Sequence, residues 1–174
     1  VDLALGESHS CVVDSTSAIT CWGISSETHG ANFGQVTDAP TGSGYAAVTG
    51  GYAHGCALDT KGYVECWGVD DGGVEDFGQV TDAPKGGGYT AISAGYAHNC
   101  VLDGSGHIEC WGYDSGGQVT DTPTDETFTA MGPGGFHNCA IGSSGVLTCW
   151  GTDNDGQCSG APTGTGTTDA DTGG

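Results

Sequence analysis

Apolar and polar positions alternate with period two along short stretches of this chain, and the stretches come in pairs. Around residue 60, His54, Cys56 and Leu58 share one face of an extended segment. A turn at 59–62 follows, and Val64 and Cys66 return on the same face. Such parity predicts a β-hairpin centred on Lys61, with 56 opposite 66 and 58 opposite 64. The same pattern places Val13 with Ile19, Leu102 with Ile108 and Ile141 with Leu147. Trp22, Trp67, Trp111 and Trp150 fall on the other face, so each ribbon is bulky or apolar on both sides, as in a sheet sandwiched between two others. A short strand is expected before each hairpin, at 1–4, 45–49, 89–93 and 128–132. No stretch carries a helical period.

The hairpins are copies of one unit. His9, His54, His98 and His137 recur at intervals of 45, 44 and 39 residues, in HSCVVDSTSAITCWG, HGCALDTKGYVECWG, HNCVLDGSGHIECWG and HNCAIGSSGVLTCWG. Each unit runs on to a Gly-Gln pair, at Gln35, Gln79, Gln118 and Gln157, and three continue as Gln-Val-Thr-Asp-x-Pro. Periods of this length mark architectures in which a unit buries its faces only against its neighbours. The units span about 1–44, 45–88, 89–127 and 128–162, and a Gly/Thr/Asp-rich tail occupies 163–174.

Nine cysteines fit that frame. Cys11 and Cys21, Cys56 and Cys66, Cys100 and Cys110, and Cys139 and Cys149 are each ten apart, which sets them opposite one another in the predicted hairpins, and Cys158 is left over. Cross-strand disulfides are the expected state. Zinc ligation with the preceding histidine is the alternative, at a spacing unusual for zinc knuckles. Cys158 stands where the other connectors have valine, a position expected to be buried, and is either a buried thiol or a partner across subunits.

The motif Gly-x-x-His-x-Cys-Ala-Leu-x-x-x-Gly-x-Val-x-Cys-Trp-Gly, closed by Gly-Gln, resembles the regulator of chromosome condensation repeat in its bacterial, cysteine-paired form. The resemblance covers roughly residues 1–162, four times over. It implies an all-β, propeller-type fold with blades of about four strands. The founding member of that family is a seven-bladed nucleotide exchange factor for a small nuclear GTPase that also binds chromatin. Four units, paired cysteines and an acidic composition depart from it, so the unit's fold carries over and that activity does not.

Charge narrows the function further. Lys61 and Lys85 are the only Lys or Arg residues against 22 acids, a formal net charge of −20. Such a surface repels nucleic acid and anionic membranes and suits calcium, cationic partners or a salty medium. No apolar stretch reaches the length of a membrane span, and the chain, opening on Val1 with no signal peptide, reads as a mature or excised product. An extracellular or cell-surface setting is expected.

The recurring His9, His54, His98 and His137 and the four tryptophans are expected to pack blades together; a histidine needed once for catalysis would not recur in every unit. A pH-sensitive or metal role for the histidines and a sugar-stacking role for the tryptophans are the alternatives. Tyr52, Tyr96 and Phe136, near the opening turns, are expected to be partly exposed, and His29 and His107 to lie on loop or turn surface. Asp153 and Asp155 begin a calcium-type loop whose twelfth position would be Gly164 rather than glutamate. No cofactor is expected. Thr163, Thr165, Thr167, Thr168 and Thr172 are candidate O-glycosylation positions. No nucleophile–base pair or phosphate loop is present, so the chain is not expected to be an enzyme. The expected function is an extracellular structural scaffold. It would self-associate head-to-tail into a fibre or oligomer, strand 1–4 of one copy filling the place after Pro162 of the next. The alternative is a monomeric recognition module binding protein or glycan on a closed four-blade ring.

Overall fold

The computed structural model describes residues 1–25 and 32–164. Twelve strands and no helix make up these residues. They form four antiparallel sheets, each a simple meander: β1 (Asp2–Leu5), β2 (His9–Val13) and β3 (Ile19–Gly23); β4 (Tyr45–Gly50), β5 (His54–Asp59) and β6 (Val64–Gly68); β7 (Tyr89–Ala94), β8 (His98–Asp103) and β9 (Ile108–Gly112); β10 (Phe128–Pro133), β11 (His137–Gly142) and β12 (Leu147–Gly151). The blades are thus propeller-like, but with three strands rather than the four implied by the resemblance, because no further alternating segment separates one hairpin from the next unit's opening strand. The inner strands β1, β4, β7 and β10 pack in chain order. Among the described residues this packing runs from β1 to β10 and no seam returns from blade 4 to blade 1, so the array is open and the four-blade ring is not formed.

The hairpin registers pair Cys11 with Cys21, Cys56 with Cys66, Cys100 with Cys110 and Cys139 with Cys149 directly across the ladder. All four pairs are disulfides, with Cα–Cα separations of 4.0–4.1 Å. In the turn after β5, the Asp59 carboxylate accepts the backbone N–H groups of Lys61 and Tyr63, which sets the loop and hence the register.

Hydrophobic cores lie between blades rather than within them. The first seam joins Val13 and Ile19 of blade 1 to Val48, Ala57 and Trp67 of blade 2. The second joins Cys56 and Leu58 to Val101 and Trp111, and the third joins Leu102 and Ile108 to Phe128, Ala140 and Trp150. Each seam thus receives the disulfide face of one blade and the tryptophan face of the next. A glycine follows each tryptophan because the exit from the outer strand needs φ between +98° and +126°, where side chains are rarely accommodated.

Candidate recognition face and blade seams

Each seam is fastened by a relay of polar groups. The Asn99 amide donates to the Gln79 carbonyl at 3.0 Å, which turns its Oδ1 towards His54 Nε2 at 2.8 Å. His54 therefore carries its proton on Nε2 and donates it to blade 3. Asn138 repeats the arrangement between blades 3 and 4, binding the Gln118 carbonyl at 2.9 Å and His98 Nε2 at 2.9 Å. The indoles of Trp67, Trp111 and Trp150 donate to the carbonyls of Gln35, Gln79 and Gln118 at 3.0–3.1 Å. The Gly-Gln pair of each of the first three connectors is accordingly the washer on which the next blade is seated. Burial pulls the His54 pKa down to about 4, and the pKa values of His9 and His98 are lowered by the same cause. The imidazole also lies on the glycine three residues earlier (Gly6, Gly51, Gly95, Gly134), where a Cβ would overlap the ring. Gly-x-x-His is thus a packing motif.

Two places break the repeat. In blade 2 the asparagine position is Gly55, and the Trp67 indole fills the space its side chain would take. His9, 3% exposed, then has no partner for either ring nitrogen among the described residues. At the ends, Trp22 is 50% exposed while Trp67, Trp111 and Trp150 are 4–6% exposed. The expectation that all four tryptophans are wedged between blades fails for Trp22, because the described chain has no blade before the first to cover it. His137, on the far face of blade 4, is only half-buried because no described blade follows to cover it.

The other predicted positions are soon placed. Cys158 is a half-buried free thiol, less enclosed than expected, with Sγ 3.8 Å from the Thr152 carbonyl and its pKa raised by burial. The exposed Asp153 carboxylate accepts the N–H groups of Cys158 and Ser159 at 2.7 and 3.0 Å, closing its own turn, and exposed Asp155 donates its N–H to Gln157. No cluster of three metal-ligating side chains occurs among the described residues. His107 is exposed in a hairpin turn, 3.6 Å from Asp103. Thr163 is exposed, and Thr165, Thr167, Thr168, Thr172 and His29 lie outside the described residues.

At the end of the array where the inner strands turn outward, aromatic rings form a continuous arc. Tyr52 and Tyr96 stack with centroids 4.6 Å apart and planes 11° from parallel. Phe33 lies 6.2 Å from Tyr52, and Phe136 lies 5.1 Å from Tyr96. The arc continues through Tyr113, 6.0 Å from Phe136, to Phe77 at 4.7 Å. Phe77 and Phe136 are exposed and the other four half-buried. The Tyr52–Tyr96 pair also borders a groove of about 750 Å³ along the inner strands, which Glu7 enters from blade 1. Sequence reasoning anticipated partial exposure of Tyr52, Tyr96 and Phe136. It missed Phe33, Phe77 and Tyr113, although the Phe-Gly-Gln shared by two connectors was a signal, and it missed the asparagines, which follow the histidine in two units.

Comparison with known proteins agrees with this geometry. Residues 89–118 match the family profile of the Regulator of chromosome condensation (RCC1) repeat. No curated protein matches the chain significantly. Among solved structures it is similar to the ectodomain of the Physcomitrella patens receptor kinase CR4, with 26% identity and a TM-score of 0.68 over 86% of this chain and 38% of that one. It is also similar to the CRINKLY WD40 ectodomain of the Arabidopsis thaliana receptor kinase ACR4, with 25% identity and a TM-score of 0.67 over 88% of this chain and 53% of that one. Prp20p of Saccharomyces cerevisiae, described with its binding to Gsp1p and histones, shares the fold at 21% identity and a TM-score of 0.63, over 85% of this chain and 42% of that one. The chain therefore spans about half or less of the length of these proteins.

Proposed function

We propose that the chain, whose third unit matches the regulator of chromosome condensation repeat, is an extracellular recognition module that binds a macromolecular partner through its aromatic face. The observation that carries this reading is the unbroken arc from Phe33 to Phe77. Six rings from two kinds of loop converge on one surface, outside the three buried seams. Tyrosine and phenylalanine held rigidly at half exposure lose little side-chain freedom on binding, which is the character of a binding hot spot. Four disulfides and the two ectodomain neighbours support the extracellular setting. Among the described residues no helix is long and apolar enough to cross a membrane. The module acts by binding: His9, His54 and His98, three of its four recurring histidines, are packed in seams.

The test compares the chain with its Tyr52→Ser/Tyr96→Ser variant against arrayed glycans and extracellular proteins. The expected result is a ligand that the variant loses although its melting temperature holds. Ligands bound equally by both forms would place recognition elsewhere.

A second reading, head-to-tail self-association, has its own observation. Trp22 lies exposed on the leading face, and the Gln157 carbonyl, at the position that receives an indole in the other connectors, meets no tryptophan among the described residues. These are the two halves of one seam, and a blade from a second copy would join them.

A further inference from the structure

The aromatic arc is electrically one-sided. The groove beside it is lined by Glu7 and by Asp2, whose carboxylate accepts the Val48 N–H at 2.9 Å, and by no lysine or arginine. Half-buried Glu75 and Asp76 belong to the same loop as Phe77, and that loop is held in place by Gln79 Nε2 on the Glu75 carbonyl at 2.7 Å and by the Gly78 N–H on the Asp76 carboxylate at 3.1 Å. The two lysines are at the other end of the blades. Lys61 is in the β5–β6 turn, where its carbonyl accepts the Gly88 N–H at 3.1 Å, and Lys85 is in the connector that returns to that turn. Burial, followed by the charge of Glu75, the neighbouring Tyr52 and the charge of Glu7, pushes the Tyr96 hydroxyl up to about 12.

We propose that the arc and groove bind an extended, arginine- or lysine-bearing segment of a partner protein, its aliphatic stems packing along the exposed rims of Tyr52, Tyr96 and Phe136 and its cations pairing with Glu7 and Glu75. The carboxylates supply direct charge, the ring rims shelter the apolar stems that carry the cations, and Arg offers a carboxylate a planar fork where Lys cannot. A neutral sugar would use the rings but leave the acids unpaired. A nucleic acid or anionic lipid would be repelled. This inference rests on the aromatic face being the recognition surface, and adds the chemistry of its partner.

The probe is a short Arg-Gly repeat peptide, titrated calorimetrically into the full chain, with a citrulline-Gly peptide and neutral oligosaccharides alongside. Expected is binding of the arginine peptide alone. It should weaken about tenfold in Tyr52→Ser/Tyr96→Ser and in Glu7→Gln/Glu75→Gln, since each pair removes one to two contacts of this class. It should change little in Glu65→Gln/Glu109→Gln, which removes the same charge from exposed positions on the outer strands. If both charge variants weaken binding alike and the tyrosine variant does not, the peptide senses only net charge and the inference is overturned. If an oligosaccharide binds instead and Tyr52→Ser/Tyr96→Ser abolishes it, the cationic partner is refuted while the recognition face stands. Binding of none of the probes refutes the cationic partner as well.

Discussion

Asn99 holds two neighbours at once, the Gln79 carbonyl and the His54 ring, and both bonds are buried. Its replacement by alanine strands the His54 N–H and opens a small cavity in the second seam. A loss of about 2–4 kcal/mol in urea unfolding is expected. The histidines give the seams a pH dependence of definite sign. With the folded pKa of His54 near 4 and an unfolded value near 6.5, the unfolded chain binds more protons between these limits. Stability is then whole above pH 6.5 and falls as pH drops from 6.5 towards 4, with His9 and His98 adding in the same direction. Melting temperatures measured from pH 7.5 to 5, above the range where most carboxylates protonate, check this. A flat profile would mean that the rings are not held neutral.

The hairpin was legible in the sequence because parity, turn and paired cysteines all lie within about fifteen residues of one another. The relay was not, since its members are far apart in the chain: Trp111 reaches back 32 residues to Gln79, and His54 reaches forward 45 to Asn99. Three ring positions of the arc were hidden for another reason, because Phe33, Phe77 and Tyr113 sit in connectors without periodicity and only folding brings them beside Tyr52 and Tyr96. Strand number was misjudged where it was borrowed from a resemblance, and read correctly where it came from alternation. Each bridge constrains its hairpin in the unfolded chain. Cys100→Ala/Cys110→Ala is expected to cost about 2–3 kcal/mol by chain entropy alone, more once the buried sulfur contacts are lost. The double variant measured beside the fully reduced protein checks that the effect is local to one blade.

For the whole molecule the exposed seam halves and the net charge of −20 oppose each other. Covering Trp22 removes much of its apolar surface from water, while bringing two acidic chains together costs repulsion that salt screens. Head-to-tail association should therefore grow with ionic strength, the reverse of an ion-paired interface. Sedimentation velocity in low and high sodium chloride is expected to show larger species in the latter, and Trp22→Ala to abolish them. A monomer under every condition would retire the assembly reading and leave recognition as the role of the chain.

Placing the cores between sheets has a consequence for how such a protein arises. The genetic repeat and the thermodynamic unit are out of phase: a duplicated segment delivers the closing half of one apolar layer and the opening half of the next, and completes neither alone. Lengthening the array by one copy adds one whole layer without redesigning any residue. Gly55 shows the other side of that freedom: the first layer lacks the asparagine of the next two, and the His9 ring nitrogens have no partner among the described residues, while the layers beyond it are complete.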